Sequence, residues 1–304
     1  MTRRRPSPAA VLTSGSLEIS GLRRTYWLAP TPRPGAPLLI ALHGLGMTGR
    51  DMDAFTGLAT RGPAAGFATV FPDGWGERWD GEQRDPERRG IDDPAFISGL
   101  VSHLTTLGAA RPGAVVVVGL SNGALFAEFL ARHGTLRIAL LALVSGTATE
   151  QSHRSRPRPQ QAAAVVCFAG TDDRVMPYDG GPIGGTGLIG RLTARRRQGH
   201  RSRRPVVVAA ETLAQEWAHA DGIDGPPSVE QLSALSAKPP VTLLSWQGDE
   251  HLSVRLYRIE GGGHGWPGGP QYLPALAVGR VSRELDATGI ILGIANDLVS
   301  GGTE

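Results

Sequence analysis

The sequence predicts an α/β fold in which helices cover both faces of a mostly parallel central sheet. The first observation is that strand-like and helix-like segments alternate from residue 36 at the spacing of β-α-β units. The second is that the strand-like segments are continuous apolar runs, which is typical of strands buried on both faces. The chain has 304 residues, of which 40% are hydrophobic and 19% charged, so it is long and apolar enough for a large core.

The individual elements follow from the periodicity of the apolar residues. Four consecutive valines at residues 115–118 predict the clearest strand. Other apolar runs predict strands at residues 37–42, 67–71, 137–144, 163–168, 241–246 and 252–259. Helical spacing predicts helices at residues 51–60, 94–107, 124–133, 206–220 and 287–298.

These elements predict one domain over residues 21–304, preceded by an N-terminal tail of residues 1–20. Two segments lack a regular period. The polar stretch at residues 147–161 is predicted to be a surface loop. The Gly- and Arg-rich segment at about residues 179–205 is predicted to be an insertion with little regular structure.

The composition argues against several classes of protein. No apolar run approaches the roughly 18 to 20 residues that a membrane span requires. Cys167 is the single cysteine, which excludes an intrachain disulfide and a multi-cysteine zinc site. The net charge is +3, but the basic run at residues 195–204 lacks aromatic residues for base stacking. We therefore expect no nucleic-acid partner and interpret the run as a solvated loop, with an anion-binding patch as the alternative.

The first residues give an expectation for the compartment. They are basic, but no apolar segment of about 7 to 15 residues follows them, as it would in a secretory signal. We expect a cytoplasmic location, or a secreted one if a leader has been removed.

The sequence Gly-Leu-Ser-Asn-Gly at residues 119–123 has the Gly-x-Ser-x-Gly form. It directly follows the valine strand and precedes a predicted helix, which is the arrangement that exposes a nucleophilic serine on a tight turn. The flanking glycines are expected because so sharp a turn brings neighbouring backbone too close for side chains. Ser121 is thus the candidate nucleophile, and a serine that merely caps the helix is the alternative.

A serine nucleophile needs a base that a carboxylate orients. His264 is the best candidate for the base because it lies after the late strands in a glycine-rich loop; His251, at the start of a strand, is the competitor. The carboxylate is expected after the strand of residues 163–168, where Asp172 and Asp173 are adjacent. Spacing alone does not choose between these two aspartates.

Acyl transfer also needs donors for the oxyanion, and backbone amides are suited to this role. We predict the amide of Asn122, which follows the nucleophile, and the amide of Leu45 in the glycine-rich turn after the strand of residues 37–42. His43 in the same turn is interpreted as a structural hydrogen-bonding residue and not as a second base.

Three tryptophans are candidates for substrate binding. Trp75 and Trp79 lie in a polar loop, where they form either a small satellite core or the wall of a pocket, and Trp266 follows His264 closely. The sequence lacks phosphate-loop, zinc-protease and dinucleotide motifs, so we predict that the site needs no cofactor and no metal.

A set of short motifs follows one another in order over about residues 20–300, at positions 42–46, 71–74, 92–97, 119–123, 170–178, 180–181 and 262–268. Through them the chain resembles the polyhydroxybutyrate-depolymerase-like esterases of the α/β-hydrolase fold, a family that includes feruloyl and acetylxylan esterases. The family pattern Gly-Thr-x-Asp-x-x-Val-Pro-Tyr implies that Asp173 is the orienting carboxylate and that Asp172 occupies a variable position. Relatives are commonly secreted and carry a cysteine where this chain has Ile223.

The resemblance implies a serine carboxylesterase that acts on a small-molecule or oligomeric ester. Ser121 would attack the ester carbonyl, His264 would transfer the proton, and Asp173 would orient the imidazole. An acyltransferase or a thioesterase would use the same triad, and a non-catalytic binding protein on a hydrolase scaffold is the interpretation from another class. The motifs leave acetyl, feruloyl and hydroxybutyryl esters equally open.

Overall fold

A ten-stranded sheet runs through the computed structural model, which describes residues 11–82, 88–184, 205–232, 240–248 and 252–300. Two further strands, of two residues each, pair with each other apart from this sheet. In chain order the strands are β1 (Thr13–Ile19), β2 (Leu22–Leu28), β3 (Leu38–Leu42), β4 (Ala68–Pro72), β5 (Val115–Leu120), β6 (Ile138–Val144), β7 (Ala164–Gly170), β8 (Gly181–Pro182), β9 (Val206–Val207), β10 (Ser228–Leu232), β11 (Val241–Gln247) and β12 (Ser253–Ile259).

The strand order in the large sheet is β1-β2-β4-β3-β5-β6-β7-β12-β11-β10. The six strands from β4 to β12 in this order are parallel, and two antiparallel strands extend the sheet at each edge. The carboxyl ends of the parallel strands therefore lie along one edge of the sheet. In open α/β sheets this edge is where ligands bind, and the loops after β3, β5, β7 and β12 meet there.

Helices pack on both faces of the sheet. Thr48 caps the first of them through a capping box with Asp51, and Asp92 caps the third by accepting a hydrogen bond from Ala95 N. The helices are α1 (Gly49–Thr56), α2 (Leu58–Ala64), α3 (Asp93–Thr106), α4 (Asn122–Arg132), α5 (Glu150–Ser155), α6 (Ala210–Ala220), α7 (Ala275–Val278) and α8 (Ala287–Ser300).

The core consists of two apolar layers, one on each face of the sheet. In β5, Val115 and Val117 face the layer that contains α3, α4 and α6, whereas Val116 and Val118 face the layer that contains α1, α2 and α8. This alternation is the two-residue period of a strand, and both sets are buried because both faces are covered. Burial of each such side chain contributes about 1.5–3 kcal/mol.

The central strands lie where the apolar runs predict them, and the predicted helices at 94–107, 124–133 and 287–298 correspond to α3, α4 and α8. The predicted helix at 51–60 is divided into α1 and α2 because Gly57 adopts a left-handed conformation, with φ of 63°. The predicted helix at 206–220 begins at Ala210, since Val206–Val207 form β9 instead.

The structure corrects two predictions about irregular segments and adds one strand that was not predicted. The N-terminal tail was predicted too long, because Thr13–Ile19 form the edge strand β1; its half-exposed side chains lack the continuous apolar signal of the central strands. The predicted loop at 147–161 contains α5, a polar helix that Thr149 caps. The strand β10 is almost fully exposed and gave no apolar run.

Residues 185–204 of the predicted insertion lie outside the described residues. Within the described ranges, no helix has both the length and the apolar character needed to cross a membrane.

Candidate active site

Ser121 lies on the sharp turn between β5 and α4. Its backbone has φ of 55° and ψ of −115°, a conformation that non-glycine residues rarely adopt. Its side chain makes no capping hydrogen bond to α4, so the alternative of an ordinary helix cap does not fit. The hydroxyl is therefore available to groups at the carboxyl edge of the sheet.

The glycines on either side of Ser121 have the steric role expected of them. A Cβ atom at Gly119 would overlap the backbone of Gly123, and a Cβ atom at Gly123 would overlap the carbonyl oxygen of Leu42. The turn is thus packed backbone against backbone, which holds Ser121 in its strained conformation.

His264 connects Ser121 to an aspartate. Its Nε2 lies 2.8 Å from the Oγ of Ser121, and its Nδ1 lies 2.8 Å from the Oδ2 of Asp173. The imidazole is 4% exposed and Asp173 is 8% exposed, so both bonds are largely shielded from water. His264 is 143 positions from Ser121 and 91 positions from Asp173 along the chain, and the fold brings the three residues together. The competitor, His251, lies outside the described residues.

The two adjacent aspartates have different surroundings. Asp173 uses Oδ1 to accept hydrogen bonds from the amides of Val175 and Met176, each at 2.8 Å, which leaves Oδ2 for the histidine. Asp172 is half exposed and pairs with Arg174 at 3.3 Å. One carboxylate therefore both fixes the turn and faces the imidazole, and the other points to solvent.

Ser145 holds the loop that carries His264, a role that no motif in the sequence indicates. Its Oγ donates a hydrogen bond to Gly265 O at 2.9 Å and accepts one from Gly265 N at 3.0 Å. Ser145 follows β6 and is also left-handed, with φ of 50°. Neither a motif nor an apolar period marks such a residue, because its function depends on a loop 120 positions later.

The predicted oxyanion donors both belong to turns near Ser121. Asn122 N is the first amide of α4, and Leu45 lies in the turn after β3 and lines the cavity beside Ser121. Neither amide donates to another group within the described part of the chain. Both are therefore free to donate to a bound oxygen atom.

His43 is buried beneath the Leu45 turn and acts as a structural residue. Its Nε2 accepts a hydrogen bond from Gly74 N at 2.8 Å, and its Nδ1 donates to Gly44 O at 2.8 Å. Burial lowers the pKa of this imidazole, so it stays neutral and keeps both bonds.

The structure corrects the substrate-binding role predicted for two of the three tryptophans. Trp79 is 3% exposed and stacks on Phe126 with ring centroids 5.1 Å apart. Trp266 is 1% exposed and donates a hydrogen bond from Nε1 to Thr288 Oγ1. Both rings belong to the core, because each finds an apolar layer large enough to bury it. Trp75 is 41% exposed but does not line the cavity.

A cavity of about 240 Å³ opens beside Ser121 and His264. It lies at the carboxyl edge of the sheet, between the turn after β3 and the segment that follows the His264 loop. Within the described residues, no group of three or more His, Cys, Asp or Glu side chains is placed to hold a metal ion. The apolar side chains that line the cavity are Leu45, Met47, Phe55, Leu120, Tyr272 and Leu273.

Comparison with known proteins identifies the fold and the family of the chain. No family model matches the chain. The curated protein "Putative esterase NocK" from Nocardia uniformis subsp. tsuyamanensis is 30% identical over 297 residues, which cover 93% of this chain and 82% of that protein. The solved acetyl xylan esterase from Aspergillus awamori superposes with a TM-score of 0.56 at 14% identity, covering 83% of this chain and 94% of the other.

The parallel sheet with the serine turn after β5, together with the structural likeness, defines an α/β-hydrolase fold, and the predicted fold class is confirmed. The 30% identity to the curated protein extends over most of both chains, so it shows membership of one family and not only a shared fold. The chain belongs to the esterase-like family of α/β-hydrolases.

Proposed function

We propose that the chain is a serine carboxylesterase whose catalytic residues are Ser121, His264 and Asp173. The observation that carries the proposal is the pair of 2.8 Å contacts that joins the three side chains through the two imidazole nitrogens. With Nδ1 donating to Asp173, the neutral imidazole keeps a lone pair on Nε2. That lone pair faces the hydroxyl hydrogen of Ser121, which is the arrangement a general base requires.

Acylation follows from this geometry. As Oγ of Ser121 attacks the ester carbonyl carbon, its proton moves to Nε2 of His264 and the carbonyl oxygen gains negative charge. The amides of Leu45 and Asn122 donate hydrogen bonds to that oxyanion. Asp173 stabilises the imidazolium, because its carboxylate is anchored by two backbone amides and shielded from water. The imidazolium then gives its proton to the leaving alkoxide, and the C–O bond breaks.

Deacylation repeats these steps with water as the nucleophile. Nε2 of His264 accepts a proton from water, the resulting hydroxide attacks the acyl-enzyme carbonyl, and the second oxyanion occupies the same two donors. Collapse of this intermediate releases the carboxylic acid and returns the proton to Oγ of Ser121.

The motifs support a finer placement as well. We propose that the chain lies close to the polyhydroxybutyrate-depolymerase-like and feruloyl-esterase-like α/β-hydrolases. The support is that the residues of their motif at 170–178 have the required roles here, with Asp173 facing His264 and Asp172 exposed.

A fluorophosphonate probe tests the proposal directly. We expect it to modify Ser121 in the folded protein, located by mass spectrometry, and to leave Ser121→Ala and heat-unfolded protein unmodified. Ser121→Ala should also lose at least about 10⁴-fold in kcat on a p-nitrophenyl ester. Absence of labelling, or full turnover by Ser121→Ala, would contradict the proposal. If added alcohols capture the acyl group in preference to water, the chain is an acyltransferase instead.

A further inference from the structure

The cavity beside Ser121 carries an inference about the substrate, and this inference rests on the proposed function. We propose that the cavity receives one compact, uncharged and apolar group of the ester, the size of a single ring or a chain of about six to nine carbon atoms. The group belongs either to the acyl part or to the alcohol part, and the chemistry of recognition is the same for both.

Size is the first argument. An apolar cavity of roughly 150 Å³ is large enough for benzene, and pockets for drug-sized ligands begin at roughly 300 Å³. The cavity of about 240 Å³ lies between these values. A methyl group would leave most of it unfilled, and a chain of about twelve carbon atoms would extend beyond it.

Charge is the second argument. Among the described residues, those that line the cavity include no Asp, Glu, Lys or Arg. The titratable lining groups are His264, already committed to Ser121 and Asp173, and Tyr272. Burial, with a further contribution from the charge of Asp173, raises the pKa of Tyr272 to about 12, so its phenol is neutral. A charged substrate group in this cavity would lose water and gain no partner, which is costly.

The aromatic wall is preorganised. Phe55 and Tyr272 meet edge to face with ring centroids 5.5 Å apart. The Gln271 side chain donates hydrogen bonds to Leu273 O at 2.7 Å and Gly279 O at 3.1 Å, which fixes the segment that carries Tyr272. Next to it, His264 N donates to Val278 O, so this wall and the catalytic histidine share one support.

The rim of the cavity extends the apolar character to the surface. Leu45 is 61% exposed and Leu273 is 47% exposed, although both side chains are large and apolar. Exposed apolar residues at the mouth of a site are typical of surfaces that bind apolar ligands.

Two ester series test the size requirement. The first is p-nitrophenyl esters from acetate to dodecanoate, and the second is acetates of alcohols from ethanol to dodecanol together with benzyl acetate. In one series we expect kcat/KM to rise at least about tenfold from the shortest member to a maximum at about six to nine carbons and then to fall. The series that shows this maximum identifies the part of the ester that enters the cavity. A flat or falling profile in both series would overturn the inference.

A matched pair of esters tests the charge requirement. The p-nitrophenyl monoester of hexanedioic acid carries a terminal carboxylate that the hexanoate ester lacks, and we expect its kcat/KM to be at least about tenfold lower. The ratio of the two kcat/KM values, uncharged ester over charged ester, should fall several-fold in Leu273→Arg, because the arginine supplies a cation at the rim. Leu107→Arg is the control, since Leu107 is also exposed but lies after α3, near the amino end of β3. This pair applies if the acyl series shows the maximum; if the alcohol series shows it, hexyl acetate and 6-acetoxyhexanoate are the matched pair, with the same expectations. Equal use of both esters of the applicable pair by the wild type, or an unchanged preference in Leu273→Arg, would contradict the inference.

Fluorophosphonate labelling separates the two proposals. A protein that is labelled at Ser121 but shows neither size nor charge preference contradicts only the inference about the cavity. A protein that is neither labelled nor active contradicts the proposed function itself.

Discussion

The side-chain amide of Asn122 forms hydrogen bonds with both the backbone N–H and the backbone carbonyl of Trp79. Asn122 Oδ1 accepts a hydrogen bond from Trp79 N at 2.8 Å, and Asn122 Nδ2 donates one to Trp79 O at 3.1 Å. The indole Nε1 of Trp79 in turn donates to His43 O at 3.1 Å. The residue after the nucleophile is thus linked through Trp79 to the turn that carries Leu45, so the two predicted oxyanion donors share one support.

Replacement of Asn122 by alanine tests this link. The backbone amide of residue 122 is retained, but both hydrogen bonds to Trp79 are lost, so the two donors are held less firmly relative to each other. We expect kcat to fall about tenfold with KM changed less than about twofold, since the loss affects the transition state more than substrate binding. Steady-state kinetics on one p-nitrophenyl ester measure both constants.

Asn296→Ala is the control, because Asn296 is exposed on α8. An equal loss in the two variants, or a rise in KM without a fall in kcat for Asn122→Ala, would mean that Asn122 does not position the oxyanion donors.

Ser145 offers a second positioning test with two substitutions. Ser145→Ala and Ser145→Gly both remove the hydroxyl that holds Gly265, so both should lose about tenfold in kcat. Only alanine keeps a Cβ in the left-handed conformation at φ of 50°, which costs about 1–2 kcal/mol relative to glycine. We therefore expect Ser145→Gly to unfold at a higher urea concentration than Ser145→Ala. The two variants should nevertheless show the same loss in kcat. If Ser145→Gly recovers full activity, backbone strain and not the hydroxyl is what matters at this position.

The sequence predicted the parallel strands and the turn that carries Ser121 for physical reasons. A strand buried on both faces must be apolar throughout, so β3, β5, β6 and β7 are visible without knowledge of their partners. A serine on a tight strand-to-helix turn needs glycines beside it, so Ser121 is also visible. These requirements are local, and local patterns are what a sequence shows.

The features that the sequence did not reveal depend on contacts between distant segments. Trp79 and Trp266 are aromatic residues in loops, and only the completed fold shows that their rings are buried in the core. Ser145 has a role because a loop 120 positions later folds back onto it. The edge strand β1 is as long as β6 and β7 but has no buried residue, and it is defined by its pairing with β2.

The adjacent aspartates give a sharp comparison. Asp173→Asn should lower kcat/KM by about 10³- to 10⁴-fold, because the amide cannot stabilise the imidazolium and can favour the wrong tautomer of His264. Asp172→Asn should change kcat/KM less than about twofold, since the Asp172 carboxylate is half exposed and pairs with exposed Arg174. Steady-state kinetics on the same ester, with circular dichroism to verify folding, measure the difference. Comparable losses in the two variants would show that the assignment of Asp173 is wrong.

Asp221 is the basis of a prediction about stability and pH. It lies at the end of α6, where Oδ1 accepts a hydrogen bond from Ala163 N at 3.3 Å and Oδ2 is buried without a partner among the described residues. Burial raises the pKa of this carboxyl from 3.8 to about 7 in the folded protein, although the Ala163 amide acts in the opposite direction. The carboxyl of Asp221 therefore ionises at lower pH in the unfolded chain than in the folded protein.

The sign of the effect follows from these pKa values. Between about pH 4 and pH 7 the folded protein binds more protons at this site than the unfolded chain, so the contribution of Asp221 to stability falls as the pH rises. Asp221→Asn cannot ionise and lacks this dependence. After allowance for partial exposure, we expect the free energy of unfolding of Asp221→Asn to gain about 1–2 kcal/mol on the wild type between pH 4.5 and pH 8. Urea unfolding at both pH values measures this change, with Asp224→Asn at an exposed position as the control. Parallel stability curves for the wild type and Asp221→Asn would show that the carboxyl of Asp221 titrates alike in the folded and unfolded states.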